Sequence, residues 1–198
     1  MNLFKSALMV AALGVGTAQA ADVSDVGQAA FQAVRTLQVA QSQLANRINW
    51  QVGDFHKLGI QFLFGGGEGS KLVTKDEPTQ NAVWYTTEIA LMGQNQKTEA
   101  LISREDGRTL KLIVNGKEED PTAGGEIEII EQSETSVEVP AGKFDCFYIK
   151  ANVTAKGQKS VVEIWVNPVN VNIDGTLKMV AQTQFGPLTL TLKEFGHQ

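Results

Sequence analysis

Cysteine and histidine are almost absent from this 198-residue chain, which has one cysteine, Cys146, and two histidines, His56 and His197. A lone cysteine forms no internal disulfide, and two distant histidines with one thiol do not supply the four ligands of a structural zinc site. We therefore expect no metal and no cofactor. A Gly-x-Ser-x-Gly motif is also missing and no acid–base pair stands out, so the sequence offers no catalytic residue and favours a protein that is not an enzyme.

Basic clusters and long apolar runs are missing as well. The chain has 17 Lys and Arg residues against 22 Asp and Glu residues, a net charge of −5. A weakly acidic chain without a Lys/Arg cluster argues against nucleic acid, and against an anionic membrane surface, as the partner. Beyond the first twenty residues no stretch approaches the ~20 apolar residues that cross a bilayer, so we expect no transmembrane segment.

Residues 1–20 have the three parts of a secretory signal peptide. Lys5 provides the positive charge, an apolar run covers residues 7–16, and Ala18-Gln19-Ala20 is a small-x-small cleavage site. We expect cleavage after Ala20, which leaves one β-rich domain over residues 21–198 in the periplasm. No cysteine lies beside the cleavage site, so we expect no lipid anchor.

Residues 22–46 have the spacing of a helix. Ala30, Val34, Leu37, Gln41 and Leu44 recur at three- and four-residue steps, which is typical of a helix with one narrow stripe that faces the rest of the protein. Alanine and glutamine, both good helix formers, dominate the segment. A flexible N-terminal linker is the alternative interpretation.

From about residue 47 to 196 the pattern changes to the period of two that is typical of strands. Asp106-Gly107 and Asn115-Gly116 separate apolar alternations and indicate tight hairpins, because both central residues of such turns need positive φ. Further hairpins are expected at Lys156-Gly157 and at Gly186-Pro187, and the glycines at 65–69 indicate a flexible hairpin loop. These short connections predict eight to ten antiparallel strands in an up-and-down meander.

Several strands are apolar on both faces. Val162, Ile164 and Val166 alternate with Val161 and Trp165, so both faces need cover. One helix cannot cover both faces of a large sheet, and we therefore expect the sheet to curl. The predicted fold is mainly β: an N-terminal helix and a curved antiparallel meander sheet that forms a half-barrel or incomplete barrel.

Four segments resemble a family of exported bacterial envelope proteins to which no activity is assigned. They are Gln51-Val52-Gly53-Asp54-Phe55-His56-Lys57, Val139-Pro140-Ala141-Gly142-Lys143-Phe144-Asp145-Cys146-Phe147, Glu163-Ile164-Trp165-Val166-Asn167-Pro168, and the closing Leu190-Thr191-Leu192-Lys193-Glu194-Phe195-Gly196. The resemblance covers most of residues 48–196. It implies a fold similar to the periplasmic lipoprotein carriers, in which a curved antiparallel sheet surrounds a helical plug and an apolar cavity.

Aromatic residues are the candidate ligand-binding residues, since strands that hold them could line such a cavity: Trp50, Phe62, Phe64, Trp84, Tyr148 and Trp165. The favoured function is a non-catalytic periplasmic binding protein that holds an apolar or acyl ligand, such as a lipid, within the curved sheet. Plain core packing is the alternative reading of these residues. The alternative function is a structural or protein-interaction component of the cell envelope with a filled core and an envelope protein as partner.

Two further features have a simpler and a functional interpretation. Cys146 could be a redox-active or intermolecular thiol, but its apolar neighbours Phe144 and Phe147 favour a buried thiol, and Asp145 would raise its pKa. Five glutamates between residues 126 and 138 alternate with apolar residues, which favours a solvated strand face over a calcium site. The loop over residues 170–174 also lacks the glycine and distal glutamate of a calcium loop.

Overall fold

The computed structural model describes residues 49–63, 65–121, 126–155, 158–183 and 186–198. These residues form one open antiparallel sheet of eleven strands, and a 3₁₀ turn at Pro78–Gln80 is their only helical element. The strands are β1 (Asp54–Phe62), β2 (Gly65–Glu77), β3 (Ala82–Leu91), β4 (Gln94–Ser103), β5 (Thr109–Val114), β6 (Lys117–Glu119), β7 (Glu126–Val139), β8 (Gly142–Ala155), β9 (Gln158–Val166), β10 (Thr176–Thr183) and β11 (Gly186–His197).

The strand order is β6-β5-β4-β3-β2-β1-β11-β10-β9-β8-β7. Two meanders, β1 to β6 and β7 to β11, are joined where the first and last strands pair side by side. Strands β6 and β7 follow each other in the chain but form the two opposite edges of the sheet. Within the described ranges no helix is both long enough and apolar enough to cross a membrane.

The predicted fold class is wrong. The described residues form a nearly all-β open sheet without an α-helix, where a helix with a half-barrel meander was expected. The segment predicted as a helix, residues 22–46, lies outside the described residues. The prediction of a single meander is wrong because β1 pairs with β11, where Leu58 lies opposite Leu192 and Ile60 opposite Leu190. Local turn signals cannot reveal such a pairing between the ends of a chain.

The glycine-rich stretch at residues 65–69 begins β2 and is not a flexible loop, so this prediction is also wrong. A Cβ atom on Gly67 would lie 2.2 Å from the carbonyl oxygen of Ala90, a distance that no side chain tolerates. Glycine at this position therefore permits the close approach of β2 to β3. The glycines that suggested a loop are therefore part of a strand, where Gly67 allows β2 and β3 to pack closely.

Several local predictions are confirmed. Asn115-Gly116 joins β5 to β6, and the segment containing Asp106-Gly107 joins β4 to β5. The strands expected on both sides of Lys156-Gly157 are β8 and β9, which pair antiparallel, while these two residues lie outside the described residues. A hairpin near Gly186-Pro187 is also present, since β10 pairs antiparallel with β11 and Thr183 lies opposite Gly186.

Most of the buried apolar side chains form two hydrophobic clusters that lie mainly on one face of the sheet, which we call the inner face. The first cluster takes its residues mainly from β1 and β8 to β11, including Leu58, Ile60, Ile149, Ile164 and Leu190. The second lies on the other half of the sheet and consists of Trp50, Val73, Val83, Tyr85, Ala100, Ile102 and Ile173. The core is therefore divided, and polar residues lie between its two parts.

Candidate functional site

The candidate aromatic residues do not come together in one cavity. Trp50 is buried in the second cluster, where its ring meets the edge of the Tyr85 ring at a centroid distance of 5.4 Å. Phe62 is buried in the first cluster. Phe64 lies outside the described residues. These placements fit the alternative reading of the aromatic residues, in which they are core.

The remaining three candidates are only half-buried. Trp84 lies between the buried residues Val83 and Tyr85 of β3, so its side chain points to the opposite face of the sheet. Tyr148 and Trp165 lie opposite each other on β8 and β9, with their ring centroids 5.0 Å apart. The ammonium group of Lys178 lies 4.9 Å from the centroid of the Trp165 ring, in a cation–π arrangement.

The connection between β9 and β10, Asn167–Gly175, covers the inner face, and we call it the plug loop. Its base is closed by a hydrogen bond of 2.8 Å from the Asn167 amide to the Gly175 carbonyl. Gly175 has φ +69°, and a Cβ atom there would lie 2.7 Å from the Cα atom of Pro168. Val171 packs into the first cluster and Ile173 into the second. One loop thus joins both halves of the core.

A buried ion pair holds the plug loop to the sheet. The Lys71 ammonium on β2 donates a hydrogen bond to the Asp174 carboxylate, and the two side chains are only 3% and 6% exposed. The Thr176 amide donates a second hydrogen bond, of 3.1 Å, to Asp174. Burial has the largest single effect and raises the pKa of Asp174, but the charge of Lys71, the neighbouring His56 and the hydrogen bonds from Lys71 and Thr176 together outweigh burial and lower this pKa. Asp174 is therefore ionised at neutral pH.

His56 on β1 completes this polar cluster. Its Nε2 lies 2.9 Å from the carbonyl oxygen of Asn172 and 3.1 Å from the Asn172 side-chain oxygen. Both partners are acceptors, so Nε2 carries the proton and Nδ1 has none when the ring is neutral. Nδ1 is buried without a hydrogen-bond partner and lies 4.0 Å from Asp174. Burial lowers the pKa of His56 despite the nearby carboxylate, and the ring is neutral at pH 7.

We call His56, Lys71, Asn172 and Asp174 the buried polar cluster. His56 is fully buried and Lys71 nearly so, and both are hydrogen-bonded or ion-paired to the plug loop. The arrangement positions the loop and offers no accessible nucleophile to a substrate. Within the described ranges no group of three or more His, Cys, Asp or Glu residues is placed to hold a metal ion.

Sequence reasoning did not find this cluster, although one signal was present. His56 alternates with Leu58 and Ile60, so the period of two already placed it on the buried face of β1. Lys71 likewise lies two residues before the buried Val73 on β2, but the glycines before it made this segment resemble a loop and not a strand. In the sequence Asp174 is an ordinary loop residue, and its partner in the structure is a lysine 103 residues away in the chain.

An open groove with a volume of about 1000 Å³ crosses β11, β1, β2, β3 and β4. The exposed residues along it alternate in charge and include Lys57, Glu68, Lys193 and Glu194. Leu58 and Ile89 also border it but have buried side chains, so the groove lies on the outer face of the sheet. Ion pairs of 2.7 Å (Lys57 with Glu194) and 2.8 Å (Lys193 with Glu68) neutralise the side chains nearest to it.

Cys146 is buried and free, as the sequence indicated. Burial raises the pKa of its thiol, and the neighbouring charge of Asp145 raises it further. Cys146 packs in the first cluster together with Val139 and Ile149. The structure therefore favours the interpretation of Cys146 as a small core residue.

The two edges of the sheet differ strongly. β6 is an edge of only three residues, whereas β7 is an edge of 14 residues. Ile129 and Ile130 on β7 and Phe147 on the adjacent β8 are 51%, 52% and 41% exposed. Among the side chains whose exposure the structure describes, six large apolar residues are exposed, and three of them lie on these two strands. Solvent-exposed apolar side chains thus concentrate at one end of the sheet.

Comparison with known proteins gives structural likenesses only, since no protein family and no curated protein matches the chain. A candidate lipoprotein of Parabacteroides distasonis superimposes with a TM-score of 0.46 and 12% identity, over 75% of this chain and 97% of that chain. A candidate exported protein of Bacteroides fragilis with a YmcC-like fold superimposes with a TM-score of 0.45 and 13% identity, over 77% of this chain and 99% of that chain. The MucA/MucB complex of Pseudomonas aeruginosa superimposes with a TM-score of 0.41 and 14% identity, over 83% of this chain and 57% of that chain.

All of these TM-scores are below 0.5. The resemblance to the lipoprotein carriers therefore stays a prediction.

Proposed function

We propose that this chain is a non-catalytic protein-interaction component of the cell envelope, which binds a partner protein at the β7 end of its sheet. The concentration of exposed apolar residues on β7 and β8 carries this proposal. Exposed apolar groups that lie close together on a soluble domain commonly mark a site of interaction. The long edge strand beside them adds unpaired backbone groups, to which another chain can bind.

The filled inner face supports an interaction protein over a carrier. Val171 of the plug loop packs into the first cluster and Ile173 into the second, and the buried ion pair holds the loop there. An acyl ligand that took the place of these side chains would have to displace this loop. Mass spectrometry of lipid extracts from the purified protein tests the carrier alternative, which requires a bound lipid and saturable binding of a fluorescent fatty acid.

The periplasmic address rests on residues 1–20, which lie outside the described residues. Lys5, the apolar run and Ala18-Gln19-Ala20 support export. N-terminal sequencing of the protein from its native envelope fraction should read Ala-Asp-Val-Ser. A chain that retains Met1 in that fraction would contradict the proposed export.

Site-specific photo-crosslinking in living cells tests the interaction itself. A photoreactive amino acid at Ile130 should give a stoichiometric cross-linked product with one envelope protein. The same amino acid at Leu63, which is 68% exposed and lies beyond the end of β1, is the matched control. Equal products from both positions, or none from Ile130, would exclude β7 as the interaction site.

A further inference from the structure

We propose that the partner binds as a twelfth antiparallel strand along β7 and that the paired segment is basic, with Lys or Arg residues three positions apart. This inference rests on the proposed interaction at the β7 end of the sheet. It specifies the binding mode, the paired residues and the charge of the partner.

The strand-addition mode follows from the unequal edges. An edge strand has backbone N–H and C=O groups that no neighbour satisfies, and an extended peptide can pair with them. β6, with three residues, is too short to direct such a partner. β7 has 14 residues, and within the described ranges it pairs on one side only, with β8.

The bulge in β7 limits the pairing segment. Ile130 is an extra residue at the register shift between Ile129 and Glu131, and such a bulge interrupts regular pairing. At the other end, Val139 is buried and the Ala141 amide donates a hydrogen bond to the Leu192 carbonyl on β11. The regular, accessible part of the edge is therefore residues 131–136.

The exposed carboxylates on β7 favour a partner segment with basic side chains. Glu131 and Glu134 are exposed and make no ion pair with any residue in the described part of the chain, although Lys57, Lys97 and Lys193 elsewhere on the sheet each have a glutamate partner. Glu131 lies opposite Lys150 on β8, but that lysine is 3.7 Å from Glu163. The two unpaired carboxylates attract cationic side chains on an added strand.

The spacing of the two glutamates fixes the spacing of the basic residues. In an antiparallel pair each residue lies directly opposite one residue of the neighbour. Lysines that face Glu134 and Glu131 must therefore be three positions apart in the partner. Phe147, beside Glu134 on β8, provides an exposed apolar surface for a neighbouring apolar residue of the partner.

The same charges disfavour a second copy of this chain as the occupant. Two β7 strands paired with each other would bring Glu131 and Glu134 of both copies together, and like charges on directly opposite residues destabilise a sheet. A basic segment from another protein satisfies both the backbone and the charge of the edge.

Synthetic peptides as long as β7, 14 residues, test the inference with the full-length protein at low ionic strength. The probe has two lysines three positions apart among valine and threonine, and fluorescence anisotropy measures its binding. Two control peptides are used. The first has the same composition as the probe but places the two lysines next to each other. The second has the sequence of the probe with N-methyl groups on alternate backbone amides. Both controls should bind about tenfold or more weakly, because they lose the charge register or the ladder of hydrogen bonds.

Variants of the protein localise the site. Glu131→Lys with Glu134→Lys should weaken the matched peptide about tenfold or more, because two attractive contacts become repulsive. Glu88→Lys with Glu105→Lys changes the net charge equally at exposed positions away from β7 and should leave binding within about twofold. Circular dichroism and urea denaturation establish that both double variants are folded.

Four results would overturn the inference. They are equal binding of the N-methylated peptide, binding that the β7 variant leaves unchanged, a dimer of this chain cross-linked through Ile130, and cross-linking of Ile130 to residues 21–48 of its own chain. If Ile130 still cross-links to an envelope protein while no peptide binds, the strand-addition inference fails and the proposed interaction function stands. If Ile130 cross-links to nothing, both fail.

Discussion

Replacement of Lys71 by methionine should destabilise the protein by about 3–5 kcal/mol, because it leaves a buried carboxylate without its counter-charge. Both Lys71 and Asp174 have nearly inaccessible side chains, so water cannot take over the role of the missing ammonium group. Methionine keeps most of the side-chain volume, which limits the contribution of a cavity. The loss of free energy therefore reports on the unpaired charge.

A double-mutant cycle separates the ion pair from other effects of the substitutions. Asp174→Asn retains an acceptor for the Thr176 amide but leaves Lys71 without its counter-charge. The double variant Lys71→Met/Asp174→Asn contains neither charge and should lose less than the sum of the two single losses, with a coupling of about 2 kcal/mol. Urea denaturation followed by tryptophan fluorescence measures all four proteins, and Trp50, beside Ile173 in the second cluster, reports on this region.

The exposed pair Lys97–Glu99 is the matched control. Its atoms are 3.2 Å apart, and its side chains are 50% and 36% exposed. Lys97→Met should therefore cost only about 0–1 kcal/mol. If Lys71→Met costs no more than Lys97→Met, the Lys71–Asp174 pair is solvated and the plug loop is not held as we describe.

Three other measurements test the core. Burial lowers the pKa of His56, so this residue takes up a proton more readily in the unfolded chain than in the folded protein. The free energy of unfolding of the wild type should therefore fall as the pH drops below about 6.5, by up to ~1.4 kcal/mol per pH unit. His56→Gln keeps a donor for the Asn172 carbonyl and should remove this slope, whereas His197→Gln should retain it. Gly67→Ala should cost about 1–3 kcal/mol through its clash with Ala90, while Gly69→Ala, with contacts of 3.4 Å or more, should cost less. The thiol of Cys146 should react slowly with Ellman's reagent in the folded protein and rapidly in urea, and rapid labelling of the folded protein would contradict its burial.

The hairpins could be predicted because their information is local. Asn115-Gly116 and Asp106-Gly107 favour tight turns whatever the rest of the chain does, and both lie between strands that pair in the structure. The pairing of β1 with β11 has no such local signal. It depends on inner-face side chains such as Leu58 and Leu192, which are more than a hundred residues apart in the chain.

The buried polar cluster could not be predicted for a different physical reason. A lysine and an aspartate are rarely buried unless they are paired, and the pair exists only once the plug loop lies on β2. Read alone, Lys71 is a surface residue and Asp174 a loop residue. His56 was the one member with a usable signal, since its alternation with Leu58 and Ile60 placed it on the buried face.

The polar cluster and the β7 edge have opposite consequences for binding. On the inner face, the ion pair and the hydrogen bonds of Asn172 hold Val171 and Ile173 against the two clusters. A ligand that displaced these side chains would have to break a buried ion pair, which costs several kcal/mol. At β7, backbone groups and carboxylates are already in solvent, and a basic strand gains contacts without displacing any described part of the chain. The difference in cost makes the β7 edge the more favourable binding site of the two.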